Sequence, residues 1–571
     1  MSKAVYVFVR NSDKVAIYTE KLIKFLPKLI PDNIPNCPIE VSSSGNIIFG
    51  IVNTRGIHYK TDNSICLGQI FGDTKSWDKP QGSYPDGAFC IFRSDENYVE
   101  IVSDVVGSRT IWFYKDDDVF ISSNSQRAIV ALIGNLKFNE NVLPWMLATG
   151  TMGPGLSWDK RIEMLGINSS VLLDISKWGI EKKSNALIFE EEKISDEKQE
   201  KLLSEELENA FSEIKLDFSK WVLPLSGGVD SRAILFYLKK LKPDFHKLRA
   251  LTWGIPGAIN RKGNDAYVAK ELADHLNISH EFHPLKVSDQ NVDEIFHRFL
   301  ICGEGRVDAI SGYTDGFYIW QKLFDNNVEG VIRGEQTFGG RMVNSEADAR
   351  AAVGISFCKD YSNLSNPELN LPTQVLPENM NRKDGESLIL WRDRLIIEYR
   401  APILKASLND LKLQFVEIST PLITRGIVNR ILKMNDSQRL TKSLFKSAIK
   451  KMSIPVDFAT EVAIETPKDI FNSPKIVNLF KEQLVKDETK KVLPEVFYNK
   501  LLKSFVAYEQ SLGGKPKKLS LKDRIKKMLP LKIKKRFIKL KTDNSVNIIR
   551  LAFRVYIVSK MYEMLNEDAA G

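Results

Sequence analysis

The stretch Val222-Leu223-Pro224-Leu225-Ser226-Gly227-Gly228-Val229-Asp230-Ser231 decides how the rest of this 571-residue chain is read. A short apolar run, Val222 to Leu225, ends in a Ser-Gly-Gly-x-Asp-Ser turn, and a helical pattern follows from Arg232 through Lys240. That is the punctuation of a strand, a tight loop and a helix start. Two adjacent glycines let the backbone approach a ligand closely. The first turn of a helix adds unpaired N–H groups at the positive end of its dipole. Phosphate binds in such a place. No Gly-Lys-Ser/Thr follows the glycines, so this is not the Walker loop.

Outward from the loop, helices alternate with strands: a helix over 202–214, the strand and loop, a second strand over 248–253 and a helix over 267–276. Such alternation predicts a parallel sheet with helices on both faces, which binds ligands at the carboxyl ends of its strands. Beyond about Ile310 the apolar periodicity is helical, as in 317–323 and 388–399. Upstream the pattern differs. Residues 1–185 carry short β-like runs at close spacing, among them 46–52, 87–92, 98–102 and 118–121, with helices over 17–26 and 125–132. Packed antiparallel sheets are expected there. The charged stretch 183–199 reads as a solvated linker or helix start. The chain is therefore read as an α/β protein in three parts: 1–185, 186–511 and a basic helical extension, 512–571.

Apolar content of 43% and charged content of 27% are those of an ordinary globular chain of two or three domains. Met1-Ser2-Lys3 runs straight into the strand-like Ala4–Val9, which does not read as a signal peptide, so a cytoplasmic location is expected. Arg550 and Arg554 make 546–558 a packed or interfacial helix rather than a membrane span. The five cysteines form no Cys-x-x-Cys, which fits a reducing compartment and gives no zinc or iron–sulfur pattern. His275, His280 and His283 cluster at a helix end running into a strand, and are read as surface and supporting histidines. The net charge of +9 belongs to a tail. Between Lys515 and Lys541, thirteen Lys/Arg stand against one acid, Asp523, so this segment carries +12 and the remainder −3. Apolar residues interleave those charges, the make-up of a basic amphipathic segment that suits an anionic membrane surface. Nucleic acid is the disfavoured competitor.

With these pieces in hand, the chain resembles the asparagine synthetase family along most of its length. In that family a class II glutaminase-like sandwich of the N-terminal-nucleophile type precedes an ATP pyrophosphatase (PP-loop) domain. The first domain is similar at Tyr84–Phe89, Asp104–Arg109 and Ile121–Ser125. The second is similar at Ser226–Ser231, Asn264–Ala269, Arg333-Gly334-Glu335, Lys442–Lys446 and Thr466–Phe471. The resemblance implies an enzyme that uses ATP and Mg2+ to activate a carboxylate as acyl-AMP, releases pyrophosphate, and joins the acyl group to ammonia or an amine. It implies that Leu225, Ser226, Gly227, Gly228, Val229, Asp230 and Ser231, with Arg333 and Gly334, hold the nucleotide's phosphates. Thr252 and Trp253 would lie against adenosine, and Asp230 would bind Mg2+. Glu335 would handle the attacking nitrogen, while Lys468 and Lys442 would neutralise phosphate charge.

Two departures matter. Ser2 stands where the family has its cysteine nucleophile, and Leu67-Gly68-Gln69 replaces the Asn-Gly-Glu of the oxyanion site, so glutamine hydrolysis is not expected. The segment Gly334–Gly340 is short and lacks the aspartate that supplies a second magnesium carboxylate, leaving Glu335, Asp308 or Asp315 as substitutes. The acid substrate is left open among small molecules, glycans and peptides, and an assembly of two copies is compatible with this reading. The competing reading is a degenerate, non-catalytic binding module at a membrane surface.

Overall fold

A computed structural model describes residues 3–285, 288, 290–335, 338–452, 454–463, 471, 473–512 and 544–571. Ser2, Lys468 and the basic stretch 515–541 lie outside the described residues.

The first part is built on the strand Lys3–Val9, apolar but for Lys3 and buried along its whole length. Side chains alternate across a strand, so Ala4, Tyr6 and Phe8 face one way and Val5, Val7 and Val9 the other. The first set packs with Phe49, Phe113 and Phe120 against Leu67, Phe92, Ile101 and Leu173 of a second sheet. The second set packs against the helices Val15–Phe25 and Gln126–Ile133. Both sheets have six antiparallel strands. The spatial order is Glu163–Met164, Trp112–Lys115, Val119–Ser123, Lys3–Val9, Ile47–Val52, Ile39–Ser44 in one. In the other it is Gly179–Ser184, Ser169–Asp174, Tyr98–Ser103, Asp86–Ser94, Ile65–Phe71, His58–Lys60. This is the expected sandwich with flanking helices.

The second part holds a five-stranded parallel sheet ordered Ser279–Pro284, Arg249–Gly254, Trp221–Pro224, Gly330–Ile332, Glu417–Ser419. The chain enters at the middle strand, runs outward to one edge, then returns and builds toward the other. The order therefore reverses beside Trp221–Pro224, where an open parallel sheet leaves a crevice at its carboxyl end. The helix Val229–Leu241 leaves from that point. Behind it the helix Asp196–Ser212, started by Ser195 accepting from Lys198 N, stacks Phe211 on Tyr237 at 5.3 Å.

The later helices depart from a simple reading. Leu388–Leu395 does not stop near Tyr399 but continues through wide i→i+5 turns over Ile396–Lys405 into Ala406–Leu413. Pro402 lies inside the widened stretch; its ring removes a donor and crowds the preceding turn. At the far end, helix Ile548–Ala570 is central rather than appended. Its Phe553 stacks on Phe480 at 5.6 Å and meets Phe296 edge-on at 5.4 Å. Asp568 accepts from Arg127 of the first part at 2.7 and 2.9 Å. No helix among the described residues is long and apolar enough to cross a membrane.

Candidate active site

The loop after the middle strand opens into a cleft of about 470 Å3, lined by Leu225, Ser226, Gly228–Ser231, Thr252, Trp253, Asp265, Arg333, Gly334, Val462 and Ala463. Its size suits a nucleotide-scale ligand. The local chemistry follows from the loop sequence. Gly228 precedes the helix and no side chain caps it, which leaves the first-turn amides of Val229, Asp230 and Ser231 for a ligand. The two loop serines brace each other, with Ser226 Oγ 3.0 Å from Ser231 Oγ. Gly228 N donates to Ser226 Oγ at 3.2 Å.

The two glycines divide the work. Gly228 lines the cleft. Gly227 does not: a Cβ there would fall 2.3 Å from Ala459 Cβ, and its amide donates to Asp265 Oδ1 at 3.1 Å. It makes room for the segment 454–463, which crosses the loop. Ala459 N donates to Gly227 O, and Val462 and Ala463 then wall the cleft. Arg232 fastens that segment from behind, stacking over Phe458 at 4.1 Å and donating to Asp457 O at 2.7 Å.

On the neighbouring strand, Thr252 Oγ1 donates to Leu225 O at 2.6 Å. Its one proton is thereby used, so His280 Nε2, 3.0 Å away, is the donor in that contact. Burial lowers the His280 pKa and keeps the ring neutral. His280 thus supports the threonine at the cleft wall, in keeping with a supporting histidine.

Asp230 lies at the mouth of the helix with Lys442 Nζ against both carboxylate oxygens, 2.6 Å from Oδ2. Lys442 reaches it from a backbone held left-handed at Thr441 and Lys442 (φ 52° and 58°). That conformation costs non-glycine residues on the order of 1–2 kcal/mol each. Gly339, at φ 81°, fits under it, since a Cβ there would lie 2.3 Å from Lys442 Cγ. A hard cation takes carboxylate together with phosphate oxygens. Asp230 fits that role, for it lines the cleft and already holds an ammonium. Asp265 is the other carboxylate in the lining. Asp308 is not available, being paired with Arg554 at 2.8 Å and with Arg550. Asp315 caps a turn, accepting from Phe317 N. Neither lines the cleft. Among the described residues no three acidic, His or Cys side chains gather.

Glu335 is buried behind Arg333 and Gly334, with Lys405 Nζ 3.4 Å from Oε2. Burial alone would raise its pKa; the Lys405, Arg333 and Lys412 cations outweigh burial and hold the carboxyl below its ordinary value, hence ionised.

Residues 203–311, which include the strand, loop and helix, match the asparagine synthase family model. Over that stretch the chain is similar to asparagine synthases. Over 266 residues it is 23% identical to the "Putative asparagine synthetase (glutamine-hydrolyzing) 2" of Methanocaldococcus jannaschii, covering 45% of this chain and 50% of that one. The match thus spans half the length of that relative. Solved structures found similar in part include glutamine phosphoribosylpyrophosphate amidotransferase from B. subtilis complexed with ADP and GMP, at 9% identity and TM-score 0.20. That likeness covers 49% of this chain and 65% of the other. A structure titled as the allosteric regulatory enzyme of purine biosynthesis gives 9%, TM-score 0.21, and 49% and 80% coverage.

The structure brings Leu225, Ser226, Gly228–Ser231, Thr252, Trp253, Arg333 and Gly334 into one lining, with Lys442 held on Asp230 and Glu335 set just behind. The sequence reading missed Asp265, although it lies in the matched stretch Asn264–Ala269. It also missed Lys405 and Lys412, which stand in a segment read only for its helical periodicity.

Proposed function

We propose that this chain is an ATP-dependent amide-forming ligase that activates a carboxylic acid as its acyl-adenylate. The observation that carries the reading is the uncapped start of helix Val229–Leu241, opening with Asp230 and Lys442 into the cleft at the sheet's switch point. First-turn amides and the Ser226 and Ser231 hydroxyls hold the β- and γ-phosphates. Thr252, Trp253, Val462 and Ala463 enclose the adenosine. Asp230, with Asp265 in the same lining, would hold Mg2+, which would supply charge neutralisation to the triphosphate. Lys442 leaves Asp230 for the phosphates, joined by Lys468. The substrate carboxylate attacks the α-phosphorus and pyrophosphate leaves. A nitrogen nucleophile then displaces AMP, and ionised Glu335 takes its proton.

The nitrogen comes as free ammonia, a partner's product, or an amine on another or the same molecule, since Ser2 replaces the thiol nucleophile. The basic stretch 515–541 would bring the enzyme to an anionic membrane surface. Pyrophosphate release from ATP, followed across a panel of carboxylic acids with ammonium or an amine, tests the reading. Release that needs both acid and ATP is the expected result, and none with any acid while ATP still binds would favour the non-catalytic binding module.

A further inference from the structure

Beside the nucleotide cleft the chain gathers more positive charge than it can answer. Arg333 lines the cleft, and its Nη1 is buried without a hydrogen-bond partner. Arg400 Nε is likewise buried and unpartnered. Lys405 meets Glu335 at 3.4 Å. Lys412, 6% exposed, donates to Leu408 O at 2.6 Å and to Asn409 Oδ1 at 3.4 Å but meets no carboxylate among the described residues; its Nζ lies 6.0 Å over the Trp320 ring, which packs edge-on at 5.6 Å against Trp253 of the cleft wall. Glu335 feels Lys405, Arg333 and Lys412, and Arg400 feels Glu335 in return. One other acid is near Lys412, Asp410, and it is already paired with Arg306. Among the described residues, four basic side chains thus share one carboxylate, Glu335.

Like charges gathered around one carboxylate repel one another, so a folded chain keeps such an excess where an anion will answer it. Lys412 registers the imbalance: burial pushes its ammonium well below the ordinary range, and Arg333 pushes the same way. The wide turns over Ile396–Lys405 and the helix after them deliver three of the four cations.

We propose that this cluster selects the acid substrate, and that it takes a carboxylic acid carrying a second anionic group, carboxylate or phosphate, and no ammonium. This rests on the adenylation reading above. An ammonium is disfavoured because Glu335 is already shared among cations and a fifth would stand unpaired.

Calorimetry on the full chain, with ATP and Mg2+ absent, tests it through two matched trios: succinate, L-aspartate and butanoate; 3-phosphoglycerate, O-phosphoserine and glycerate. In at least one trio the first member is expected to bind about tenfold or more tighter than the other two, and which trio does so tells carboxylate from phosphate. Lys405→Gln and Arg400→Gln, the less buried members, are expected to weaken that binding about tenfold while the far-ultraviolet circular dichroism stays unchanged. Equal binding within both trios, tighter binding of aspartate or phosphoserine, or variants that bind as the parent does would overturn the proposal. Pyrophosphate release with the same acids separates the two readings. Selective binding without release keeps the anion site and removes adenylation; release with butanoate or aspartate at the same KM as succinate keeps adenylation and removes the anion site.

Discussion

The motif residues of the first domain and those of the second are equally polar, yet the structure uses them in opposite ways. In the first domain most of them answer one another or the second domain, with Gln69 Oε1 and Ser122 Oγ buried without a partner among the described residues. Asp104 accepts from the amides of Phe89, Val106 and Ser108 and from the Ser108 hydroxyl. Arg109 lies where a Gly68 side chain would go and pairs with Glu417 of the parallel sheet. Asp86 accepts from Arg425 N at 2.9 Å, serving the start of helix Arg425–Leu432 in the other domain. Lys3 is buried against Glu304, which also takes the Ser125 hydroxyl and the Gln126 amide. In the second domain the helix start is uncapped, and Arg333 and Arg400 keep buried donors in reserve. The first-domain pairs hold the two parts together, whereas the uncapped helix start opens into the cleft.

The sharpest way to break that contrast is Arg109→Ala. Removing one partner of a buried pair typically costs about 3–5 kcal/mol, because the other charge is left alone. A large drop in melting temperature is expected. If the variant instead keeps its stability and loses turnover, the first-domain patch is functional after all. Asp230→Ala is the mirror test: turnover falling by about 10²–10³ with little change in stability. A variant with full activity would remove Asp230 from the nucleotide site.

An acid titration sharpens the same contrast. Burial would raise the Glu304 carboxyl, but Lys3, Ser125, Arg127 and the Gln126 amide bring it below its ordinary value. A depressed acid contributes stability that is complete above the unfolded pKa and lost as pH falls through the folded one. Melting temperature should therefore fall on acidification below about pH 4.5, and Glu304→Gln, less stable at neutral pH, should show a flatter acid limb. An unchanged limb would mean that Lys3 and Glu304 do not hold the domains together. The smallest effect is reserved for Ser195→Ala, which deletes the exposed cap of helix Asp196–Ser212 at a cost of about 1 kcal/mol, read from chemical denaturation.

Much of this was legible in the sequence, and the limits have physical causes. The strand–loop–helix at 222–231 and the helix near 125–132 are local, and local signals survive without a structure. The ion pair of Lys442 with Asp230 spans 212 positions, so nothing near either residue announces it. Asp308 looked available as a metal ligand because its arginine partners lie more than 240 positions away. Lys405 and Lys412 escaped for a different reason. The wide turns around Pro402 break the 3.6-residue period, so no helical wheel drawn through 388–413 places Arg400, Lys405 and Lys412 toward one glutamate.

The central position of helix Ile548–Ala570 has a consequence for how the protein is assembled and dissected. The Arg127–Asp568 pair closes a loop of 441 positions, and Phe553 completes an aromatic cluster whose other members, Phe296 and Phe480, precede it by far. Contacts that distant close late. During synthesis the sandwich and the parallel sheet must wait, with apolar faces open, for a helix made after everything it touches. Cutting the chain at the apparent boundary near residue 185, or stopping it near 512, would therefore yield pieces that expose this seam and aggregate, not two tractable domains.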